Sequence, residues 1–334
     1  MPRFFELSST ITKLGFCFTF IINLIFINIT LSYTRVITGT YRKMLVTFAT
    51  TCIVFSAIEI IVHPYIHNFN GGLVYFSLTE STGEFQTFLR INLIVYSACY
   101  ITQIVFIAMQ FLFRYFIVTQ SRFLESFKGV KQLFWVFYLL AVGFIYGTLL
   151  CFCLQSDDYS EEYMRAEIEK VYGRNIKDTP RVLAVAYENG QVRLGIALFL
   201  SFGSFLIGLQ YAIIIICAVE MRDAMNTKLQ NLSSKNRRLE KQFFKALTFQ
   251  ILLPTVLLTI PVGIVLILPL LDLKISLETG GMFVLYSFYP PLDTIATMMI
   301  IKEYRYSLMV LWKDLKGVKI KQRGSQAETT IEMS

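Results

Sequence analysis

Three ionisable side chains stand in or at the edge of runs apolar and long enough to cross a bilayer. They are Glu59 in Ala57-Ile-Glu59-Ile-Ile-Val-His63, Arg114 after Gln110-Phe-Leu-Phe, and Asp293 within Gly280–Ile301. A charge at membrane depth is costly unless it faces other helices, a cavity or a partner, so Asp293 is expected to look inward. A proton, a sodium ion, a polar network or the third span could compensate it. Pro290 and Pro291 remove two backbone donors just before it, which only neighbouring helices or water make tolerable. That stretch is therefore expected to form the inward wall of a bundle, bent at the prolines.

A second pattern belongs to one helix. Asn92, Tyr96, Tyr100, Gln103, Gln110 and Arg114 recur at spacings of four, four, three, seven and four, which at ~100° per residue places them on a stripe roughly 80° wide. Its outer part, Tyr96 to Gln103, with Glu59 and Tyr286, is either the lining of a ligand cavity or a set of interhelical hydrogen bonds, each worth up to about 1–2 kcal/mol. Its inner end delivers Arg114 to the membrane boundary, as an interface anchor or as part of a switch. The place of Arg114 on the interior stripe favours the switch. Tyr286, Pro290, Asp293 and Thr297 share a face of the seventh run, continuing to Tyr304 if the helix stays regular. Gln250, Pro254, Pro261 and Pro269 mark a sixth run whose prolines either pivot it or merely shape it.

Several chemistries are excluded. There is no G-x-G-x-x-G, no G-K-[ST] and no G-x-S-x-G, so an enzyme is not expected. His63 and His67 are the only histidines, and no metal site or cofactor follows. The six cysteines, Cys17, Cys52, Cys99, Cys151, Cys153 and Cys217, lie in or beside apolar runs. They read as free thiols packed as small hydrophobes, with a bridge from Cys99 to Cys151 or Cys153 the alternative.

The elements that position these residues follow from composition. Of 334 residues 55% are hydrophobic and 16% charged, with a mean hydropathy of +0.56, which marks an all-α integral membrane protein. Seven spans emerge, at 14–33, 44–63, 91–113, 132–153, 194–219, 246–270 and 280–301. Residues 1–13 read as a short outer N-terminus before a retained first helix, and 302–334 as an inner tail in which Tyr304, Leu308 and Leu311 mark a short amphipathic helix on the inner leaflet. The connecting loops alternate in charge. Thr34–Lys43, Arg114–Lys131, Glu220–Lys245 and the tail total +13, whereas the N-terminus and the other three loops total −3. Short cytoplasmic loops collect Lys and Arg, so the N-terminus is expected outside and the C-terminus inside. The net charge of +8 is thus an orientation signal and a lure for anionic membrane lipid, with no nucleic acid implied. The sequons at Asn28 and Asn231 fall in a span and an inner loop and are not expected to carry glycans. In the longest outer loop Met164, Ile168 and Val171 predict an amphipathic helix. Val182–Ala186 followed by Asn189-Gly190 predicts an extended piece and a turn, the whole being a lid or a solvated cap.

These residues resemble the nematode seven-helix chemoreceptors, and within them the Str class of serpentine receptors. The likeness rests on Gly39-Thr-Tyr41-Arg-Lys-Met-Leu, Phe113-Arg114-Tyr115-Phe-Ile-Val, Gln250-Ile-Leu-Leu-Pro254 with Ile260-Pro261-Val, Tyr289-Pro290-Pro291-Leu-Asp293 and Ile301-Lys302-Glu-Tyr304-Arg305. Ser160-Glu-Glu-Tyr163 through Pro180 extends it over nearly the whole chain. The resemblance implies a receptor in the sensory-neuron cilium that detects small odorant or soluble molecules and activates a heterotrimeric G protein. Arg114, Tyr115, Gln250, Pro254, Pro261, Pro290, Asp293 and Arg305 would then serve switching and coupling. Two departures stand out: Thr294 replaces the usual proline, and Phe113 stands where rhodopsin-like receptors place the acid that neighbours this arginine. The second outer loop also lacks the cysteine of their outer disulfide.

Two rivals remain, a ligand-gated channel of the insect odorant-receptor kind, with seven helices in the opposite orientation, and a transporter, which should show inverted repeats. Epitope tags read on intact cells separate the first. An N-terminal tag is expected to be accessible and a C-terminal tag to need permeabilisation; the reverse pattern would sink the receptor reading.

Overall fold

The computed structural model describes residues 2–34, 37, 39–77, 79, 81–227, 234–273, 275–278 and 286–316. Helices α1 (Pro2–Asn28), α2 (Gly39–Val62), α3 (Glu84–Thr119), α4 (Gln132–Cys153) and α6 (Leu194–Thr227) run through the bundle. The sixth span is α7 (Ser234–Pro254), one π-helical turn at Thr255–Thr259, and α8 (Ile260–Ile267). The seventh is α9 (Tyr289–Ile300), followed by α10 (Lys302–Leu315). Among the described residues, six helical stretches are long and apolar enough to cross a membrane. The start of the seventh span, 280–285, lies outside the described residues, as do Asn231 and the tail beyond 316.

Helix α3 is the axis, packed against α2, α4, α6 and α7. Leu93, Ile101, Val105 and Ile107 are fully buried along it, while Phe137, Phe144 and Phe152 of α4 face outward with about three-quarters of their surface exposed, as a lipid-facing helix requires. Where small residues occur, helices close on each other. The Cβ that Gly195 lacks would lie 2.2 Å from the backbone oxygen of Cys153, so only glycine lets α6 start against the end of α4.

One end is closed by a structure that the all-α reading did not contain. β1 (Pro64–Phe69), β2 (Gly72–Ser77), β3 (Arg181–Val185) and β6 (Ser276–Glu278) form a four-stranded antiparallel sheet in the order β3-β2-β1-β6, joining three loops at that end of the bundle. Asn70-Gly71 turns β1 into β2 with Asn70 at φ 49°. Asn189-Gly190 does the same between β4 (Tyr187–Glu188) and β5 (Gln191–Val192), both being the left-handed positions that a tight hairpin demands. The predicted outer-loop helix is present as α5 (Asp158–Tyr172), capped by Asp157 and ended by Gly173 at φ 65°. Its Met164 and Ile168 pack on Tyr65, Val74, Phe76 and Leu183 of the sheet. The other sheet face meets the bundle: Asn68 donates to the Val265 carbonyl at 2.8 Å, Tyr75 to that of Leu93 at 3.2 Å, and Ser77 to that of Val62.

Charges tie the cap together. Arg193 pairs with Asp157, and with Glu188 at 3.3 Å. Burial pushes the Asp157 carboxyl up, but hydrogen bonds from Arg193 and Ser160 hold it down to about 2. Buried His67 joins Tyr172 at 3.1 Å and lies 3.7 Å from Glu167; burial lowers its pKa, opposed by Glu167.

Three further expectations change. The first helix starts at Pro2 rather than Leu14, proline at its start needing no backbone donor. Pro290 and Pro291 likewise begin α9 instead of bending a continuous helix. The face running from Tyr286 to Tyr304 is interrupted at Ile301, whose extended backbone separates α9 from α10. All six cysteines are free.

The packing of Gly195 is testable against Gly208, which has open space around it. Gly195→Ala is expected to lower stability by about 1–3 kcal/mol, read as a lower melting temperature of the purified chain, with Gly208→Ala unchanged or higher. Equal melting of the two would contradict this packing.

Candidate functional site

The inner end of the bundle is built around Arg114, which is 2% exposed. Its Nη1 donates to Glu240 of α7 at 3.2 and 3.4 Å. Its guanidinium lies over the rings of Tyr41, 3.5 Å from the centroid, and Phe243, at 3.7 Å. A planar cation between two aromatic faces with a carboxylate at its edge is held by cation–π attraction and a charge-assisted hydrogen bond together. The arrangement joins α2, α3 and α7 at one level. A pocket beside it is lined by Ile37, Phe113, Lys128 and Leu239 as well as the pair itself.

Counting along the helices from this layer, Cys52 lies eleven residues past Tyr41, Gln103 eleven before Arg114, and Gln250 ten past Glu240. At ~1.5 Å per residue all three reach one depth, about 15–17 Å further into the bundle. Asp293 is at this depth, because its Oδ2 accepts from Gln250 Nε2 at 3.1 Å. It is 1% exposed, and its Oδ1 has no hydrogen-bond partner among the described residues. The amides of Gln103 and Gln110 and the hydroxyls of Tyr289 and Thr297 are also buried without one. Thr294, which departs from the family pattern, donates to Asn23 of α1 at 2.9 Å.

The outer layer is aromatic. Phe55 stacks on Tyr96 with centroids 4.5 Å apart and meets the edge of Tyr286 at 5.5 Å. Tyr286 lies edge-on to Tyr100 at 6.1 Å and stacks on Tyr289 at 5.2 Å. Glu59, 2% exposed, accepts from Ser287. Tyr100 shares a 2.5 Å hydrogen bond with Thr259, to which Tyr211 of α6 also donates at 3.1 Å, and Tyr211 contacts Thr255 at 2.7 Å. The π turn of the sixth span is thus the place where α3 and α6 grip it, and such turns leave backbone groups off the regular ladder.

Of the candidate ligand residues, Glu59, Tyr96, Tyr100 and Tyr286 fall in one outer cluster, and Gln103 one layer inward. Among the switch candidates, Arg114, Gln250 and Asp293 are buried, Pro254 closes α7 and Pro261 opens α8 just past the π turn. Tyr115 is half-buried off the Arg114 stripe, and Arg305 is exposed on α10, away from the pair. Asn92, at the outer end of the stripe, bonds the Phe88 carbonyl of its own helix. Sequence reasoning missed Glu240 and left Tyr41 without a role. The available signal was Glu240 itself, an acid set between Arg238 and Lys241 in a strongly basic run. Among the described residues no group of three His, Cys, Asp or Glu side chains is placed to hold a metal.

Comparison with known proteins gives one consistent likeness. Residues 8–309 match the model of the family described as serpentine type 7TM GPCR chemoreceptor Str. The chain is 37% identical over 314 residues to the G-protein coupled receptor str-33 of Caenorhabditis elegans, covering 92% of this chain and 91% of that protein. It is 25% identical over 308 residues to the serpentine receptor class r-10 of the same worm, covering 90% of each. The Caenorhabditis briggsae protein of the same description is also 25% identical, over 309 residues.

The middle layer supports a stability test. Gln250→Leu takes from Asp293 its described hydrogen bond and is expected to cost about 1–3 kcal/mol, whereas Gln250→Leu with Asp293→Leu recovers most of that loss, since removing both partners leaves no buried group unsatisfied. A double variant that melts lower than the single would contradict the pairing.

Proposed function

Because the chain belongs to the Str family of serpentine chemoreceptors, we propose that it binds a small odorant or soluble molecule in the aromatic outer layer and activates a heterotrimeric G protein at the Arg114 end. The family is one of multi-pass membrane receptors and not of enzymes. The orientation we assign, cap and N-terminus outside, rests on loop charge: +13 at the Arg114 end against −3 at the other. Plasma membrane of a sensory-neuron cilium is the location that fits such a receptor. The channel and transporter readings have no comparable support.

The observation that carries the mechanism is the Arg114–Glu240 pair. It holds the inner ends of α3 and α7 together, where a coupling protein would meet the basic segments Arg114–Lys131 and Arg222–Lys245. Ligand in the outer layer touches residues bonded to the π turn, at Tyr100–Thr259. A ligand shifts the equilibrium only by its differential affinity for the two states. The open state separates Glu240 from Arg114, and the ligand favours it by repacking the rings that hold the π turn. The middle layer, where Asp293 accepts from Gln250 of the moving helix, lies between the two ends. The Arg114 guanidinium, freed of Glu240 and still stacked on Tyr41, is then presented to the G protein.

Glu240→Gln weakens the closed state, and each ~1.4 kcal/mol lost multiplies the open fraction about tenfold. Ligand-free G-protein activation is expected to rise several-fold in that variant, while Arg114→Ala at matched surface expression loses the ligand-stimulated signal. Basal activity unchanged in the first and a full response in the second would refute the switch.

A further inference from the structure

Glu59 is the one acid of α2 and sits at 2% exposure among aromatic rings. Its described partner is the Ser287 hydroxyl, and among the described residues no Lys, Arg or His forms an ion pair with it. A carboxylate placed this way is left without a cation in a site that penalises bare charge. The surrounding residues are of one kind. Phe55, one helical turn away, stacks on Tyr96 at 4.5 Å and meets Tyr286 at 5.5 Å, and Tyr100 closes the ring at 6.1 Å from Tyr286. Tyr96, Tyr286 and Tyr75 all lie within the electrostatic reach of the Glu59 carboxylate. Tyr286 is fully buried and its hydroxyl has no hydrogen-bond partner among the described residues. Tyr75, on the inner face of the sheet, roofs the cluster through its bond to Leu93.

We infer that this box binds a small organic ammonium, a protonated amine whose charge pairs with Glu59, whose alkyl groups lie against the rings, and whose N–H is accepted by the Tyr286 hydroxyl. The inference rests on the receptor reading above and names the ligand class of that same site. Each element answers a different property of such a ligand. The carboxylate answers its charge, the ring faces its polarisable N–CH groups by cation–π attraction, and the unspent phenol oxygen its remaining donor. A neutral ligand gains nothing from the charge that Glu59 can carry, and an anion would be repelled by it. Because these rings touch one another, with Phe55 stacked on Tyr96 at 4.5 Å, a head group enters only as they turn aside, which ties binding to the rearrangement of Tyr100 and hence of Thr259. The acidic balance of the cap-side loops, −3 with the N-terminus, raises the concentration of cations at the mouth.

The test uses the full chain in lipid nanodiscs, melted in the presence of a thiol-reactive dye that reports exposure of its six cysteines. Probes are trimethylamine, 3-methylbutylamine and 2-phenylethylamine at pH 7.5, with 3-methylbutan-1-ol and 2-phenylethanol as neutral counterparts. At least one amine is expected to raise the melting temperature at a concentration about tenfold or more below that of its alcohol. Glu59→Gln, which keeps an acceptor for Ser287, is expected to erase that preference, and Tyr286→Phe to reduce it several-fold. If Glu59→Gln fails to fold, Tyr286→Phe, which removes the acceptor, and Tyr96→Leu, which removes a ring face, carry the test, each having to weaken the amine preference. Equal response to amine and alcohol, or a preference that survives these substitutions, overturns the inference. Alcohols that bind and activate without amine preference would overturn it while leaving the receptor reading intact. Amines that bind through Glu59 without any G-protein activation would support the site and contradict the receptor reading instead.

Discussion

A bundle of this kind has to answer for every charge it buries, and the Arg114–Glu240 pair is where that requirement organises the most structure. The guanidinium is sealed at 2% exposure between Tyr41 and Phe243, so α2, α3 and α7 must arrive at one level for its positive charge to be compensated. Removing one partner of a buried pair leaves the other stranded, so the pair resists being pulled apart. The same rule sets the layers above. Asp293 is tied to Gln250 in the middle, and Glu59 to Ser287 in the aromatic outer layer. Three buried ionisable residues thus mark three depths, and each bonds to a different segment of the chain rather than within its own helix.

The cap follows from a different constraint. Outer loops that close a bundle mouth carry backbone donors and acceptors that must be paired, and a sheet pairs them across loops far apart in sequence. One face of that sheet has its own small core under α5, and the other is bonded to the ends of the spans. The mouth is therefore roofed by ordered structure from which Tyr75 reaches down toward the aromatic layer.

Much of this was legible in the residues, for identifiable reasons. Spans announce themselves through length and hydropathy. The inward faces of Gln103, Gln110, Arg114 and Asp293 follow from the cost of polar groups in lipid, and all are buried. Met164 and Ile168 predicted α5 by spacing alone. The strands at 64–77 and 276–278 escaped because their pairing joins three separate loops, a long-range contact that no local pattern records. Glu240 escaped because the charge partner of Arg114 comes from another helix rather than from its sequence neighbour at position 113, which is Phe113. Pro290 and Pro291 begin a helix rather than bend one, a distinction that the sequence does not carry, since a proline pair looks the same in either setting.

The claim on which most depends is that Arg114 and Glu240 hold the inner ends of the third and sixth spans together. Spin labels carried by non-natural residues at Arg122 and Arg238, both exposed, measure that separation directly by pulsed electron resonance in nanodiscs. A single short-distance population in the unaltered chain, giving way to a longer one when Glu240 becomes Gln, is the predicted result. Distance distributions that coincide in the two proteins would contradict it.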